Sequence, residues 1–212
     1  MGPTTDDRMA GAVLAQFVGD ALCLGSHWYY DLVELARIFP AGIQGFEAPA
    51  TGHYHAGRRS GEPTHYGDAA LVLLRSVAAR GRRGPGDYGS RFVARFGDPA
   101  YAGYLDKPTR ITLERWRAWQ AAHPQGTADA YGFQDGADDA QNVTTSRLAP
   151  VVVRHAGEPD LPVRVEQAVR VCQNNEVAVV HALIHARLLE RLLKGEPFVP
   201  AVEAALAGLD GA

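Results

Sequence analysis

The sequence is poor in cysteine and has no long apolar run. It contains two cysteines, Cys23 and Cys172. Both lie within apolar helical patterns, so we expect two buried thiols in a reducing compartment, with a single disulfide as the alternative. No apolar run approaches the roughly 20 residues that span a bilayer. No N-terminal segment combines basic residues, an apolar core and a cleavage site. These absences predict a cytoplasmic protein with no membrane contact.

The sequence also has no large excess of charge of either sign. The formal net charge is −3, which creates no overall field that would attract nucleic acid or an anionic membrane. Lysine occurs only at Lys107 and Lys194, and the other basic residues are arginine. Arginine grips phosphate through its planar fork, but genome composition favours arginine equally well. The bias therefore does not indicate a phosphate site by itself, and we expect no nucleic-acid partner.

Helical periodicity is the strongest pattern that is present. Thr4 and Asp7 have capping-box spacing, which predicts a first helix that begins near Thr4 or Thr5 and ends at Gly25. Further helical patterns cover 31–39, 68–80, 88–96, 109–122, 140–155, 163–172, 176–193 and 200–209. No segment has the pattern of a convincing strand. The sequence therefore predicts one all-α domain over 1–212, an irregular multi-helix bundle.

Several carboxylates lie where they need a partner. Asp20 is inside an apolar helix, so it caps a neighbouring helix, faces solvent or belongs to a site. Asp68 begins a helix, either as an N-terminal cap or as a metal ligand. Asp138 and Asp139 follow Asp135 in an acidic segment. That segment either binds a divalent cation through oxygen or favours a helix start through its charge.

The segment His27-Trp28-Tyr29-Tyr30-Asp31 places aromatic rings beside an imidazole and a carboxylate. Such rings stack on a base or a sugar, or they plug a hydrophobic core.

A long irregular stretch, 41–66, follows this aromatic segment, and loops of this length are often functional. Its glycines and its consecutive arginines at 58 and 59 suit a phosphate. Three histidines lie in or next to this stretch, and together with Asp68 they match no standard zinc spacing. We therefore expect an ordinary solvated loop around these histidines, His53, His55 and His65.

Together these residues resemble the ADP-ribosylglycohydrolase family, in particular the branch that includes jellyfish J1 crystallin. The segment 11–31, GAVLAQFVGDALCLGSHWYYD, is similar to the family's first helix, usually GxxxGxxxGDALG, and to its crystallin-like continuation. The segments 66–69, 142–150 and 174–179 resemble the family's TDDT, GNGxxMRxxP and THxxPxAV motifs in the same order. The resemblance covers most of the chain.

The resemblance implies an all-α orthogonal bundle whose cleft holds two magnesium ions. It implies hydrolysis of an N- or O-glycosidic bond to ADP-ribose, carried by a protein or a small molecule. The metals would orient the ribose and position water, while a carboxylate assists. On this basis we expect Asp31 and His27 to be catalytic and Asp68 to bind the metal. The residues expected to contact substrate are Asp20, Trp28, Asp138, Asp139 and Asn142.

This chain departs from the family pattern at the metal motifs. Only Asp68 of the TDDT motif remains, and His27 stands where many relatives have a catalytic glutamate, with Asp31 as a candidate substitute. No DxDT segment follows Glu176, so we expect the family's last helices to be missing. Three alternatives stay open: a hydrolase, an ADP-ribose-binding or crystallin-like structural protein, and a fragment completed by another polypeptide. Apolar surface exposed by the missing helices predicts a homo-oligomer.

Overall fold

A computed structural model describes residues 2–79 and 84–207. Its helices are α1 (Thr5–Cys23), α2 (Leu32–Ile38), α3 (His65–Ala78), α4 (Pro85–Phe96), α5 (Lys107–Ala122), α6 (Ala128–Tyr131), α7 (Ala149–His155), α8 (Leu161–Arg170), α9 (Glu176–Leu193) and α10 (Phe198–Leu206). A 3₁₀ turn, Thr144–Arg147, precedes α7. Within the described ranges no strand forms, and an isolated bridge pairs Ala137 with Gln173. The all-α prediction is confirmed.

Side-chain caps fix where the helices begin. The amide of Asp7 donates to the Thr4 hydroxyl at 3.1 Å, and the amide of Thr4 donates to the Asp7 carboxylate at 2.9 Å. This capping box starts α1 where the sequence predicts it. The Thr64 hydroxyl accepts from the amide of Tyr66 at 3.0 Å. Because of this cap, α3 begins at His65, three residues before the predicted start at 68.

The helix predicted over 140–155 is wrong as a single element. The chain forms only the 3₁₀ turn before it enters α7 at Ala149. Pro150 lies in the first turn of α7. Proline is common in the first turn because an N–H there would have no acceptor within the helix. The predicted helix ends at 80 and 209 lie outside the described residues.

The core lies where α3, α4, α7, α8 and α9 pack against one another, with α10 against α9. Burying each large aliphatic or aromatic side chain contributes about 1.5–3 kcal/mol. The core side chains with no exposed surface include Phe92, Leu148, Val152, Val165 and Val169. This core anchors α3, whose N-terminal turn contains His65, Tyr66, Gly67 and Asp68.

The first two helices are less completely covered. One face of α1 packs against α3, α7 and α9, while Leu14 on the other face is 64% exposed. In α2, Leu32 and Val33 are 75% and 80% exposed. None of the described helices is long and apolar enough to cross a membrane. The homo-oligomer stays a prediction.

Both cysteines are free thiols. Cys172 is completely buried, as predicted, and burial raises its pKa to about 11. The prediction that Cys23 is buried is wrong. Cys23 ends α1, and no element covers that side of the final turn among the described residues.

Candidate ligand-binding site

Asp20 caps the neighbouring helix α3. Its Oδ2 accepts from the amide of Thr64 at 2.7 Å, and its Oδ1 accepts from the Thr64 hydroxyl at 2.5 Å. Burial raises the pKa of Asp20, and the hydrogen bonds from Thr64 oppose that rise. A buried carboxylate in α1 is therefore explained by the packing of α1 on the start of α3. The substrate-binding role of Asp20 stays a prediction.

Gly67 is part of the same contact. A β-carbon at this position would overlap the Asp20 carboxylate and the Pro63 ring. The absence of a side chain therefore lets α1 and α3 approach closely enough for Asp20 to reach Thr64.

Asp68 is held by two arginines and a tyrosine. Its Oδ2 accepts from Arg58 Nη2 at 2.5 Å and from the Tyr101 hydroxyl at 3.0 Å, and its Oδ1 accepts from Arg95 Nη2 at 3.2 Å. The Asp68 side chain is only 6% exposed. Burial alone would lower the pKa of Arg58, but the hydrogen bond and the charge of Asp68 raise it. We call these four residues the Asp68 clamp.

The Asp68 clamp does not fit a magnesium ion. Magnesium binds carboxylate oxygens in an octahedral shell of oxygen ligands, but both oxygens of Asp68 already accept from cationic groups. A metal ion at Asp68 would lie against two guanidinium groups and would be repelled by their positive charge. The metal-binding role predicted for Asp68 stays a prediction. The groups that contact its carboxylate favour pairing with guanidinium over binding of a metal ion.

A second group, the histidine-aromatic cluster, surrounds Trp28. The cluster is built from loop and helix-start residues. The Trp28 ring is 5.4 Å from His55 in a stacked arrangement and 5.5 Å from His65. Trp28 has φ of +67°, a left-handed conformation that is strained for a bulky side chain. The other members are His27, His53, Tyr54, Tyr66 and Tyr104.

Several ring nitrogens of this cluster are buried without a hydrogen-bond partner among the described residues. They are His27 Nε2 and both ring nitrogens of His55, whereas His65 Nε2 lies 3.5 Å from the Asp106 carboxylate. Burial lowers the pKa of His27 to about 4 and that of His55 to about 3, and the neighbouring histidines add to the shift. Both imidazoles are therefore neutral at neutral pH. The expected solvated loop is wrong for His55 and His65, which are only 2% and 3% exposed.

A cleft of about 250 Å³ lies beside the cluster. It is lined by Tyr66, Gln141, Asn142, Val143 and Ser146. Tyr66 belongs to both features, because its ring also contacts His65 at 3.9 Å between centroids. Asn142, predicted from the sequence to contact substrate, is exposed at this cleft. The cleft therefore places Asn142 near Tyr66, whose ring belongs to the cluster around Trp28.

The other predicted carboxylates have structural partners. Asp139 Oδ2 lies 3.1 Å from Lys107 Nζ, and its Oδ1 accepts from the amide of Gln141 at 3.0 Å. Asp138 Oδ1 accepts from the Asn175 side chain at 2.7 Å, and Asn175 caps α9. These contacts order the segment that leads to the cleft. Substrate contact by Asp138 or Asp139 stays a prediction.

Asp31 lies apart from these contacts. Its Oδ1 accepts from the amides of Val33 and Glu34 at 2.8 and 3.2 Å, which makes it the cap of α2. Asp31 is exposed. The catalytic roles predicted for Asp31 and His27 stay predictions, and the contacts described here do not link the two side chains.

Sequence reasoning missed Arg95 and Tyr101. Neither lies in a motif, and no local pattern marks them. In the sequence, Arg58 stands out only as half of an arginine pair. The structure separates that pair, since Arg59 is 85% exposed and bound to Glu62 while Arg58 reaches Asp68.

The ADP-ribosylglycohydrolase family model matches residues 1–212. The chain therefore belongs to the ADP-ribosylglycohydrolase family, as the sequence motifs predict. Crystallin J1A of Tripedalia cystophora is 26% identical over 191 residues, which cover 88% of this chain and 58% of that protein.

A solved structure, an ADP-ribosylglycohydrolase-related protein complex, has the same fold. It matches with a TM-score of 0.70 at 24% identity, covering 96% of this chain and 62% of that one. The chain thus spans about three fifths of the length of these two relatives.

Proposed function

We propose that this chain binds an ADP-ribosyl group in the cleft at Tyr66 and Asn142, without a magnesium ion. Family membership supports the ligand class, and the Asp68 clamp supports the independence from metal. The clamp is the observation that carries the independence from metal, because both oxygens of Asp68 already accept from guanidinium groups.

The cleft offers the chemistry that an ADP-ribosyl group needs. Tyr66 and the rings behind it present aromatic surface against which a sugar or a base packs. The Asn142 amide both donates and accepts hydrogen bonds, which suits ribose hydroxyls. The neutral imidazole of His27 lies 5.6 Å from the Tyr66 ring between centroids. The neutral imidazoles of His27 and His55 add no charge that would repel either end of the ligand.

Calorimetry with ADP-ribose in the presence of EDTA tests the proposal. We expect saturable binding that weakens about tenfold in Asn142→Ala, the change that a charged or bidentate polar contact brings. The exposed residue Gln120 in α5 provides a control, and Gln120→Ala should bind like the parent. Binding that is absent in EDTA and restored by magnesium would contradict the proposal. The absence of binding in either condition would favour a crystallin-like structural role.

Hydrolysis of an ADP-ribosyl bond is the second candidate. His27 favours it, because a neutral, buried imidazole with an unpartnered Nε2 has the capacity to accept a proton. The test is release of ADP-ribose from modified arginine and serine in EDTA. Release that disappears in His27→Gln, with ADP-ribose affinity unchanged, would establish this role. No release despite saturable ADP-ribose binding would exclude it.

A further inference from the structure

We propose that the pocket over the Asp68 clamp is a binding site for a phosphate-type oxyanion, separate from the cleft at Tyr66. The pocket has a volume of about 270 Å³. Its walls come from the irregular stretch before α3, from the last turn of α4 and from the loop that follows α4. The lining residues that matter here are Arg58, Glu62, Arg95, Tyr101 and Gly103.

The two arginines keep donors available to a ligand. Among the described residues, Arg58 hydrogen-bonds only through Nη2, to Asp68 and, at 3.5 Å, to Tyr101. Arg95 likewise uses only Nη2, toward Asp68. A guanidinium carries further N–H donors in the same plane, so each arginine can hold Asp68 and still donate to an anion. Charge-assisted contacts of this kind are the strong ones for phosphate.

Asp68 orients the arginines without neutralising both. Arg58 and Arg95 carry two positive charges against the single negative charge of Asp68. Glu62 also lines the pocket, and its carboxylate is bound by the amide of Arg59 at 2.9 Å and by Arg59 Nε at 2.8 Å. Because Arg59 offsets Glu62, the pocket retains about one unit of positive charge.

Gly103 lets the backbone lie against the donors. A β-carbon at this position would overlap the Tyr101 hydroxyl and Arg58 Nη2. A side chain here would therefore displace the two donors from the wall of the pocket.

The pocket and the cleft lie on different sides of α3. Tyr66 lines the cleft and Asp68 lies beneath the pocket. Residues two apart in an α-helix project about 200° apart around its axis. An oxyanion in the pocket would therefore occupy a site of its own.

Calorimetry with inorganic phosphate, at ionic strength held constant with chloride, tests this site. We expect saturable phosphate binding, comparable binding of ADP, and no competition by adenosine for the phosphate site. These arms separate the phosphate group from the nucleoside as the recognised element. Heat that does not saturate with phosphate, or that chloride reproduces, would overturn the proposal.

The variants of choice are on the solvent side of the pocket. Arg95 is 46% exposed, so Arg95→Ala should fold, and we expect phosphate affinity to fall about tenfold or more. Glu62→Gln should tighten phosphate binding, because it removes a negative charge from the wall. Arg91, one turn earlier in α4 and paired with Asp87, provides the matched control Arg91→Ala. Equal affinities in Arg95→Ala and Arg91→Ala would overturn the assignment.

Gly103→Ala gives a second, independent test. The added methyl group would displace the Tyr101 hydroxyl and Arg58 Nη2 without changing charge, and we expect it to weaken phosphate binding while Arg91→Ala does not. Phosphate affinity unchanged in Gly103→Ala would place the anion elsewhere.

Discussion

The Asp68 clamp and the histidine-aromatic cluster adjoin the same end of α3 but use polar groups in opposite ways. In the clamp, both carboxylate oxygens of Asp68 accept from described groups. In the cluster, both ring nitrogens of His55 and Nε2 of His27 are buried and unpartnered among the described residues. A buried polar group without a partner costs about 1–3 kcal/mol. The clamp therefore holds its own side chains in place, while the cluster keeps imidazole nitrogens without hydrogen-bond partners beside a cleft.

This difference matters because family resemblance predicts metal binding and ligand binding together. Metal-dependent chemistry would have to begin at Asp68, and its surroundings are cationic. Ligand contact would begin near Trp28 and Tyr66, which lie among aromatic rings and the neutral imidazoles of His27 and His55. Single substitutions and a change of pH alter the clamp, the cluster or the helix packing around them, one at a time.

The largest effect should come from Arg58→Ala. It removes the more buried guanidinium and leaves Asp68, at 6% exposure, with only the half-exposed Arg95 and the Tyr101 hydroxyl as partners. We expect the free energy of unfolding to fall by about 3 kcal/mol, the lower end of the loss when a buried ion pair is broken, measured by urea denaturation. Arg59→Ala is the control, because Arg59 is 85% exposed and its pair with Glu62 should be worth less than about 1 kcal/mol. Similar losses in both variants would show that Asp68 does not depend on Arg58.

Gly67→Ala should have the next largest effect. Its methyl group would displace the Asp20 carboxylate from Thr64. Overpacking of this kind costs about 2 kcal/mol, and thermal denaturation would measure it. A stable Gly67→Ala protein would mean that α1 and α3 are not held together by the Asp20 cap.

The cluster predicts a pH dependence. The pKa values of His27 and His55 fall from 6.5 to about 4 and about 3 on folding. Below the unfolded value, the unfolded chain takes up protons that the folded chain does not, so stability falls as pH falls. Between about pH 7 and about pH 5, we expect a loss of about 1–2 kcal/mol from these groups after allowance for solvent screening. Urea denaturation at both pH values measures the loss.

His55→Gln provides the comparison for this pH dependence. It removes one of the two titrating imidazoles, so the slope of stability against pH should become shallower. An unchanged slope in His55→Gln would assign the pH dependence to other groups.

The smallest effect should be a gain. Gly11 lies in the exposed middle of α1, and a β-carbon there meets nothing within 4 Å. Gly11→Ala should therefore stabilise the protein by up to about 1 kcal/mol through helix propensity. Together with Gly67→Ala it shows which glycine is needed for packing. Destabilisation by Gly11→Ala would indicate that this face of α1 is covered in solution.

Local chemistry explains which features the sequence could predict. The two residues of the capping box, Thr4 and Asp7, are three positions apart, and the helical patterns repeat every three or four residues. By contrast, Asp68 meets Arg58, Arg95 and Tyr101 across 10, 27 and 33 residues. Those contacts depend on how α3 and α4 pack. The sequence therefore identified Asp68 as a site residue but could not indicate that arginines surround it.

The histidines illustrate the same limit. Their spacing matches no metal motif, and the loop composition predicts exposure. Burial of His55 arises because Trp28, 27 residues earlier in the chain, stacks on it. The strained backbone at Trp28 that allows this contact has no sequence pattern of its own.

The central claim is that guanidinium groups, and no metal ion, neutralise Asp68. Calorimetric titration of magnesium into the parent protein and into Asp68→Asn tests it most directly. We predict no saturable magnesium binding in either protein at millimolar concentration, because Arg58 and Arg95 occupy both oxygens of Asp68. Saturable binding to the parent that is lost in Asp68→Asn would contradict the claim.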